Sequence, residues 1–319
     1  MKIEKIAFRN WPNCYRLTNG CIELIVTSDF GPRVAYCALT GGKNLFAELP
    51  GDPIGKPDRW YSLGGHRFWV APEAIDRTYY PDSQPVKFQQ GDDFVRFTAP
   101  TEGPTGVQKE IEIRLAQDAA QARVLYRVYN RGLWPVELAP WALSVMAPGG
   151  VAILPLPPRG PHAPQNLLPT SSLVQWAYTD MSDPRWTWGR EYVLLRQDPG
   201  LAGPQKVGAA SYVGWAAYAV QRSHDTASAN QGSLFVKTFA PQPGMVYPDM
   251  GCTVEFFTNE SMLEVETLAP LSRLEPGEAT SHTETWHLFD GLPAIGTEAD
   301  VREHVQPLVM PLLALAPIA

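Results

Sequence analysis

The sequence is poor in the residues that build metal and redox centres. It has four cysteines in 319 residues (Cys14, Cys21, Cys37, Cys252), with no CxxC spacing and no cysteine–histidine cluster. Buried free thiols are therefore expected rather than a disulfide framework. The six histidines, at 66, 162, 224, 282, 287 and 304, are scattered and form no HExxH. His282, Glu284 and His287 come close to a ligand set, but in a strand His287 faces away from the other two. No metal and no cofactor is expected. A P-loop, a dinucleotide fingerprint and a nucleophile elbow are also missing. No basic run offers phosphate contacts and the net charge is −7, so nucleic acid is not an expected partner. No apolar run is long enough for a membrane span. The apolar tail 307–319 is short and interrupted by Pro311 and Pro317, and reads as a docked tail, with a partner-binding segment as the alternative. The first residues carry no apolar stretch of the secretory kind, which points to a cytoplasmic protein.

Proline and aromatics are plentiful. The chain has 31 prolines, roughly twice the usual share, which punctuate short strands and work against long helices. Ten tryptophans, 12 tyrosines and 12 phenylalanines mark a folded core. Strand patterning is clearest in residues 109–115 and 123–129, where Ile111, Ile113 and Leu115 alternate with Glu112 and Arg114 ahead of a polar turn. Similar runs occupy 21–26, 34–39, 93–97, 233–239, 253–257 and 283–288. One short helix is expected over 297–305, with Thr297 as its N-cap. This predicts an all-β fold, a sandwich or barrel, in one domain spanning 1–319. The proline-rich stretch 154–164 reads as a surface loop, with a two-domain split there as the alternative.

Three segments could carry chemistry. In 63–73, Gly64 and Gly65 precede His66 and Arg67, with Trp69 and Glu73 close by. A histidine titrates near pH ~6.5 and could donate a proton, and an arginine could hold a hydroxyl or carboxylate. The alternative is a turn and an edge strand with a half-buried histidine. In 183–192, Trp186, Trp188 and Tyr192 mix with Asp183, Arg185 and Arg190. Aromatic faces on one side of a strand suit sugar rings, and the charged groups suit hydroxyls; an ordinary aromatic core is the alternative. In 261–270, Glu264 and Glu266 share one strand face while Leu263 and Val265 share the other. Such a pair is either solvated or placed for chemistry, since mutual repulsion can raise a glutamate enough for general-base work.

Taken in order, Phe30-Gly-Pro-Arg-Val-Ala-Tyr36, residues 64–73, Asn130-Arg-Gly-Leu-Trp-Pro135, residues 264–270, Leu274-Glu-Pro-Gly-Glu278 and Glu284-Thr-Trp286 resemble the galactose mutarotase-like (aldose 1-epimerase-like) superfamily. Within it they resemble an uncharacterised bacterial branch, the domain of unknown function DUF4380. The resemblance implies a large antiparallel β-supersandwich with few short helices and a sugar cleft on one sheet. It also implies a late-strand glutamate that takes the anomeric proton, matched best by Glu266 and next by Glu264, and a histidine that protonates the ring oxygen. Where that histidine is expected, this chain reads Ala139-Pro-Trp-Ala-Leu143, with Trp141 or Ala142 in its place. His66 could substitute if the fold sets it opposite Glu266. Arg67, Trp69, Glu73, Trp141, Asp183, Arg185, Trp188 and Glu264 would then hold the substrate, a small-molecule carbohydrate. Anomerisation or epimerisation is the enzymatic reading. A carbohydrate-binding protein that kept the cleft without the chemistry is the alternative, and a glycan-cleaving or lyase role is a third. Homo-oligomerisation is left open.

Overall fold

Turn residues and period-two runs become two stacked antiparallel sheets. The structure is a computed structural model that describes residues 1–221 and 232–315. His224 and Pro317 lie outside the described residues. The path through the first sheet is Lys2–Phe8, Trp11–Thr18, Ile22–Thr27, Arg33–Leu39, Gly65–Ala71, Val136–Met146, Leu263–Leu268, Val254–Thr258, Gln205–Ala209 and Leu173–Gln175. Ser272–Leu274 joins this sheet by pairing with Val136–Met146. The second sheet runs Trp186–Trp188, Tyr192–Arg196, Val151–Pro155, Trp215–Gln221, Gly232–Phe239, Ala279–Leu292, Gln121–Asn130, Val107–Leu115, Val95–Thr98 and Lys87–Gln90. This is the all-β sandwich with few short helices expected from the pattern.

The space between the sheets is filled from both sides. Val34, Phe68, Ala142, Phe256 and Val265 of the first sheet join Val124, Tyr126, Leu195, Phe235 and Trp286 of the second in one hydrophobic cluster. Each fully buried aliphatic side chain of this kind contributes about 1.5–3 kcal/mol. The expected hairpin 109–115/123–129 is present as Val107–Leu115 paired with Gln121–Asn130. The proline-rich stretch forms an irregular connection after Val151–Pro155, with one short 3-10 turn at Pro164–Asn166.

The C-terminal segment covers the outer face of the second sheet. Thr297 caps it through a reciprocal box with Asp300, as its place in the sequence predicts. The helical run is longer than expected and continues through Gln306–Leu315 with Pro311 inside. Val301, Val305 and Val309 are fully buried against Tyr192, Leu194, Trp215 and Val236. Burial of this face outweighs the local cost of the proline, and the described part of the tail is docked. Among the described residues, no helix is long and apolar enough to cross a membrane.

Candidate functional site

In an antiparallel pair, residues directly opposite share a face of the sheet. Arg67 stands opposite Leu143, Leu143 opposite Glu266, and Glu266 opposite Glu255. His66 stands opposite Ser144, and Ser144 opposite Val265. The two rows point to opposite faces. Val265 and Phe256, its neighbour in the second row, are core residues. The first row, with Glu264, Trp69, Trp141 and Lys206, forms the outer face.

That outer face carries a cleft of about 450 Å³, within the ~300–1,000 Å³ usual for small-molecule sites. Seven aromatics line it: Trp60, Trp69, Tyr79, Trp141, Trp176, Tyr178 and Phe257. Its charged lining is Arg67, Lys206, Glu73 and Glu264. Arg67 lies over Trp69, 4.1 Å from the ring centre, and over Trp60 at 5.5 Å. Lys206 is held between Trp141 and Trp176, at 4.8 and 4.6 Å. Gly208 makes room for this. A Cβ there would stand 2.3 Å from Cys252 Sγ and 3.1 Å from the Trp176 ring.

Polar groups in and under the cleft are incompletely bonded. Arg67 Nη1 is 2.8 Å from Glu264 Oε1, an ion pair by distance. Its angles do not make a hydrogen bond, so Arg67 Nε and Nη1 and Glu264 Oε1 have no bonded partner. Lys206 Nζ is 2.7 Å from Glu255 Oε2 and 3.4 Å from Glu266 Oε2. Trp141 Nε1 donates to Glu266 Oε2 at 2.8 Å. Glu266 Oε1 and both Glu255 oxygens lack a hydrogen-bond partner. Burial raises the pKa of Glu255 well above the usual carboxylate range and that of Glu266 to a lesser extent, against the pull of Lys206. Despite its burial, Lys206 is held charged by the two carboxylates. One ammonium facing two buried carboxyls is satisfied when one of them keeps its proton. At the mouth, Tyr79 OH donates to Glu73 Oε1, and burial followed by this carboxylate raises the tyrosine pKa.

Behind the same strands lies a second polar cluster, within the core. Glu284 accepts from Tyr126 OH and Trp286 Nε1, each at 2.7 Å, and from Thr267 Oγ1. Lys237 Nζ is 2.9 Å from Glu284 and donates to the carbonyls of Ala142 and Val265 at 3.2 and 3.0 Å. His66 shares a hydrogen between Nδ1 and Ser144 Oγ at 2.9 Å, and its ring packs on Tyr126 and Trp286. Burial, then the Lys237 charge, pushes its pKa well below the ordinary histidine value.

Several sequence expectations are corrected here. His66 faces the core and cannot meet Glu266 across the cleft. Glu266 shares the cleft face but has none of its surface exposed; Trp141 and Lys206 cover it, and Glu264 is the late-strand carboxylate that lines the cavity. Asp183, Arg185 and Trp188 are not in the cleft. Arg185 pairs with Asp183 at 2.8 Å and donates to the Leu201 and Gly203 carbonyls, which ties a loop together. Trp188 stacks on the core residue Trp186 and donates to the Met181 carbonyl. Tyr192 lies in a separate strand on the other face, against Trp215. Gly64 and Gly65 serve backbone packing rather than a ligand. At φ +75° and +70°, their missing Cβ atoms would meet the Ala47 and Val34 carbonyls at 1.9 and 2.6 Å. His287, as expected, faces away from His282 and Glu284, and bonds Thr238. The described residues hold no cluster of three metal-ligating side chains.

Arg67, Trp69, Glu73, Trp141 and Glu264 do line the cleft. Sequence reasoning missed Lys206, Glu255, Trp60, Tyr79, Trp176 and Tyr178. Glu255 was within reach, because Val254–Thr258 and Leu263–Leu268 flank a four-residue connection and pair as a hairpin that sets it opposite Glu266. The other five sit in loops or in a short strand with no periodic signal.

No family model and no curated protein matches the sequence. Solved structures do match in shape. The chain is similar to a galactose mutarotase-like protein from Lactobacillus casei, with 11% identity and a TM-score of 0.57 over 87% of this chain and 100% of that one. It is similar to a candidate aldose 1-epimerase from Klebsiella pneumoniae, with 12% identity and a TM-score of 0.54 over 96% and 86%. A galactose mutarotase-like protein from Clostridium acetobutylicum gives 11% identity and a TM-score of 0.50 over 91% and 98%. At such identities the likeness is one of fold.

Proposed function

Starting from that fold, galactose mutarotase-like in its architecture, we propose that this chain binds a small carbohydrate in the aromatic cleft and lacks the acid/base pair of a mutarotase. The observation that carries the proposal is the make-up of the cavity. Indoles at Trp60, Trp69, Trp141 and Trp176 line it together with Arg67 and Glu264, an ion pair that makes no well-angled hydrogen bond. Sugar rings present C–H faces to aromatics and hydroxyls to such donor–acceptor pairs. Among the described residues no histidine lines the cleft, and the nearest substitute, His66, is sealed on the other side of the sheet. An acid/base catalyst must reach the proton it moves.

One observation favours the enzymatic alternative. Glu264 is a cleft-lining carboxylate, ion-paired with Arg67 at 2.8 Å, so it could serve as a base on a bound sugar. The resemblance of the sequence motifs to an uncharacterised bacterial branch of that superfamily fits either reading. Anomer exchange followed by polarimetry or NMR on a panel of aldoses separates them. Saturable binding without faster exchange is the expected result. Accelerated exchange that is lost in Glu264→Gln would replace the binding proposal with the enzymatic one.

A further inference from the structure

Resting on the carbohydrate reading above, we propose that the sugar carries a cationic amino group and that Glu73 is its anchor. Both cations in the cleft are already committed to carboxylates. Arg67 stands 2.8 Å from Glu264, and Lys206 stands 2.7 Å from Glu255 and 3.4 Å from Glu266. Glu73 is the exception. It lines the cleft, is exposed, and is met by the Tyr79 hydroxyl, with no cation in salt-bridge distance among the described residues. A ligand cation supplies the missing charge.

The surroundings suit such a group. The Tyr79 ring centre is 5.2 Å from that of Trp60 and 5.0 Å from that of Trp69, so an aromatic wall adjoins the carboxylate. A carboxylate beside aromatic faces is the arrangement that attracts ammonium groups. Deeper in, the nearly fully buried Arg67 and Glu264 face each other as an ion pair at 2.8 Å, so the floor is polar but carries no surplus charge. The cleft thus has two parts: a polar floor that any sugar could use, and an anionic mouth that rewards an amine. An anionic sugar would bring its charge against Glu73 and find both cations engaged.

The test is calorimetry at pH 7 with D-glucosamine and D-galactosamine against glucose, galactose, N-acetylglucosamine and glucuronate. The amino sugars should bind about fivefold or more tightly than their neutral parents, the range expected for one partly exposed ion pair with aromatic support. Glucuronate should be the weakest. In Glu73→Gln the ratio of amino-sugar to parent affinity should fall to about one, and added salt should shrink the ratio in the unaltered protein. Equal affinity for glucosamine, glucose and N-acetylglucosamine would overturn the proposal and leave the carbohydrate reading standing. So would a preference that survives Glu73→Gln. Tightest binding of glucuronate would also overturn it. If none of these sugars binds, both readings fall.

Discussion

Lysine–glutamate clusters lie on both sides of the sheet that bears the cleft, and they are completed to different degrees. On the core side, Lys237 has three acceptors, and Glu284 collects four donors. That saturation holds Glu284 in its charged form. Burial opposes it, but Lys237 with the nearby groups brings its pKa down to about 2. On the cleft side, one lysine serves two carboxylates, and three carboxylate oxygens under the floor have no hydrogen-bond partner. There burial wins and both glutamate pKa values rise. The bonds around Glu284 help set the packing of the core, although His66 Nε2 in the same cluster has no partner, whereas on the cleft side the carboxylates themselves are left partly bonded. The difference separates a well-bonded cluster within the core from an incompletely bonded one beneath the cleft floor.

Four measurements would break or sharpen this contrast. The largest effect is expected from Lys237→Met, which strands Glu284 without its counter-ion. Stability should fall by about 3–5 kcal/mol in urea titrations, and an unchanged midpoint would end the view of this pair as a core fixture. The lysine pKa is itself lowered by burial, so the pair as a whole stabilises less than the glutamate shift alone implies.

Acid should act next. Burial lowers His282 from 6.5 to about 4, and His66 is lowered too. The unfolded chain therefore takes up protons at a higher pH than the folded one. Stability is full above pH ~6.5 and is lost as pH falls, by about 3 kcal/mol by pH 4 for His282 alone. Glu284, lowered from 4.5 to about 2, adds a further loss between those two values. The cleft pair works in the opposite direction, because its raised pKa values cost stability as pH rises above 4.5. Urea midpoints from pH 8 down to 4 should fall steadily, and a midpoint that rises toward pH 5 would mean the cleft pair dominates.

Paired substitutions give a smaller and cleaner contrast. Glu284→Gln should cost about 1–3 kcal/mol, since it weakens four satisfied contacts. Glu255→Gln should be neutral or stabilising by about 1 kcal/mol at pH 8, since it leaves one lysine with one carboxylate. Equal losses in both would erase the distinction. The smallest effect belongs to Trp176→Ala, which removes one wall of the cleft. Sugar affinity should drop about five- to tenfold, the worth of one aromatic contact, and titration by ligand-observed NMR would reveal it. Undiminished binding would move the ligand away from this wall.

Much of the scaffold was legible in the chain. The hairpin of 109–115 and 123–129, the runs at 21–26, 34–39 and 233–239, and the N-cap at Thr297 follow from alternation and turn chemistry, which are local. The shared face of Glu264 and Glu266 was legible for the same reason. The same rule separates His66 from Arg67, adjacent residues of one strand that must point to opposite sides. Grouping them as acid and anchor of one site conflicted with that alternation. The aromatic segment 183–192 misled differently, because a turn at 189–191 divides it into two strands and sends Tyr192 to the other face.

The sequence by itself determined the all-β class, the two faces of each clear strand and the glutamates' common side, because side-chain direction in a strand depends on parity alone. Tertiary structure decided which face is the cleft and which residues meet there. Lys206 reaches Glu266 through the pairing of Gln205–Ala209 with Val254–Thr258, strands far apart in the chain whose register no local pattern specifies. Trp60, Tyr79, Trp176 and Tyr178 arrive from loops whose paths depend on the packed sheet beneath them. Whether a buried carboxylate is held charged or driven toward its neutral form depends on how many donors the fold brings to it, and that number exists only once the chain is folded.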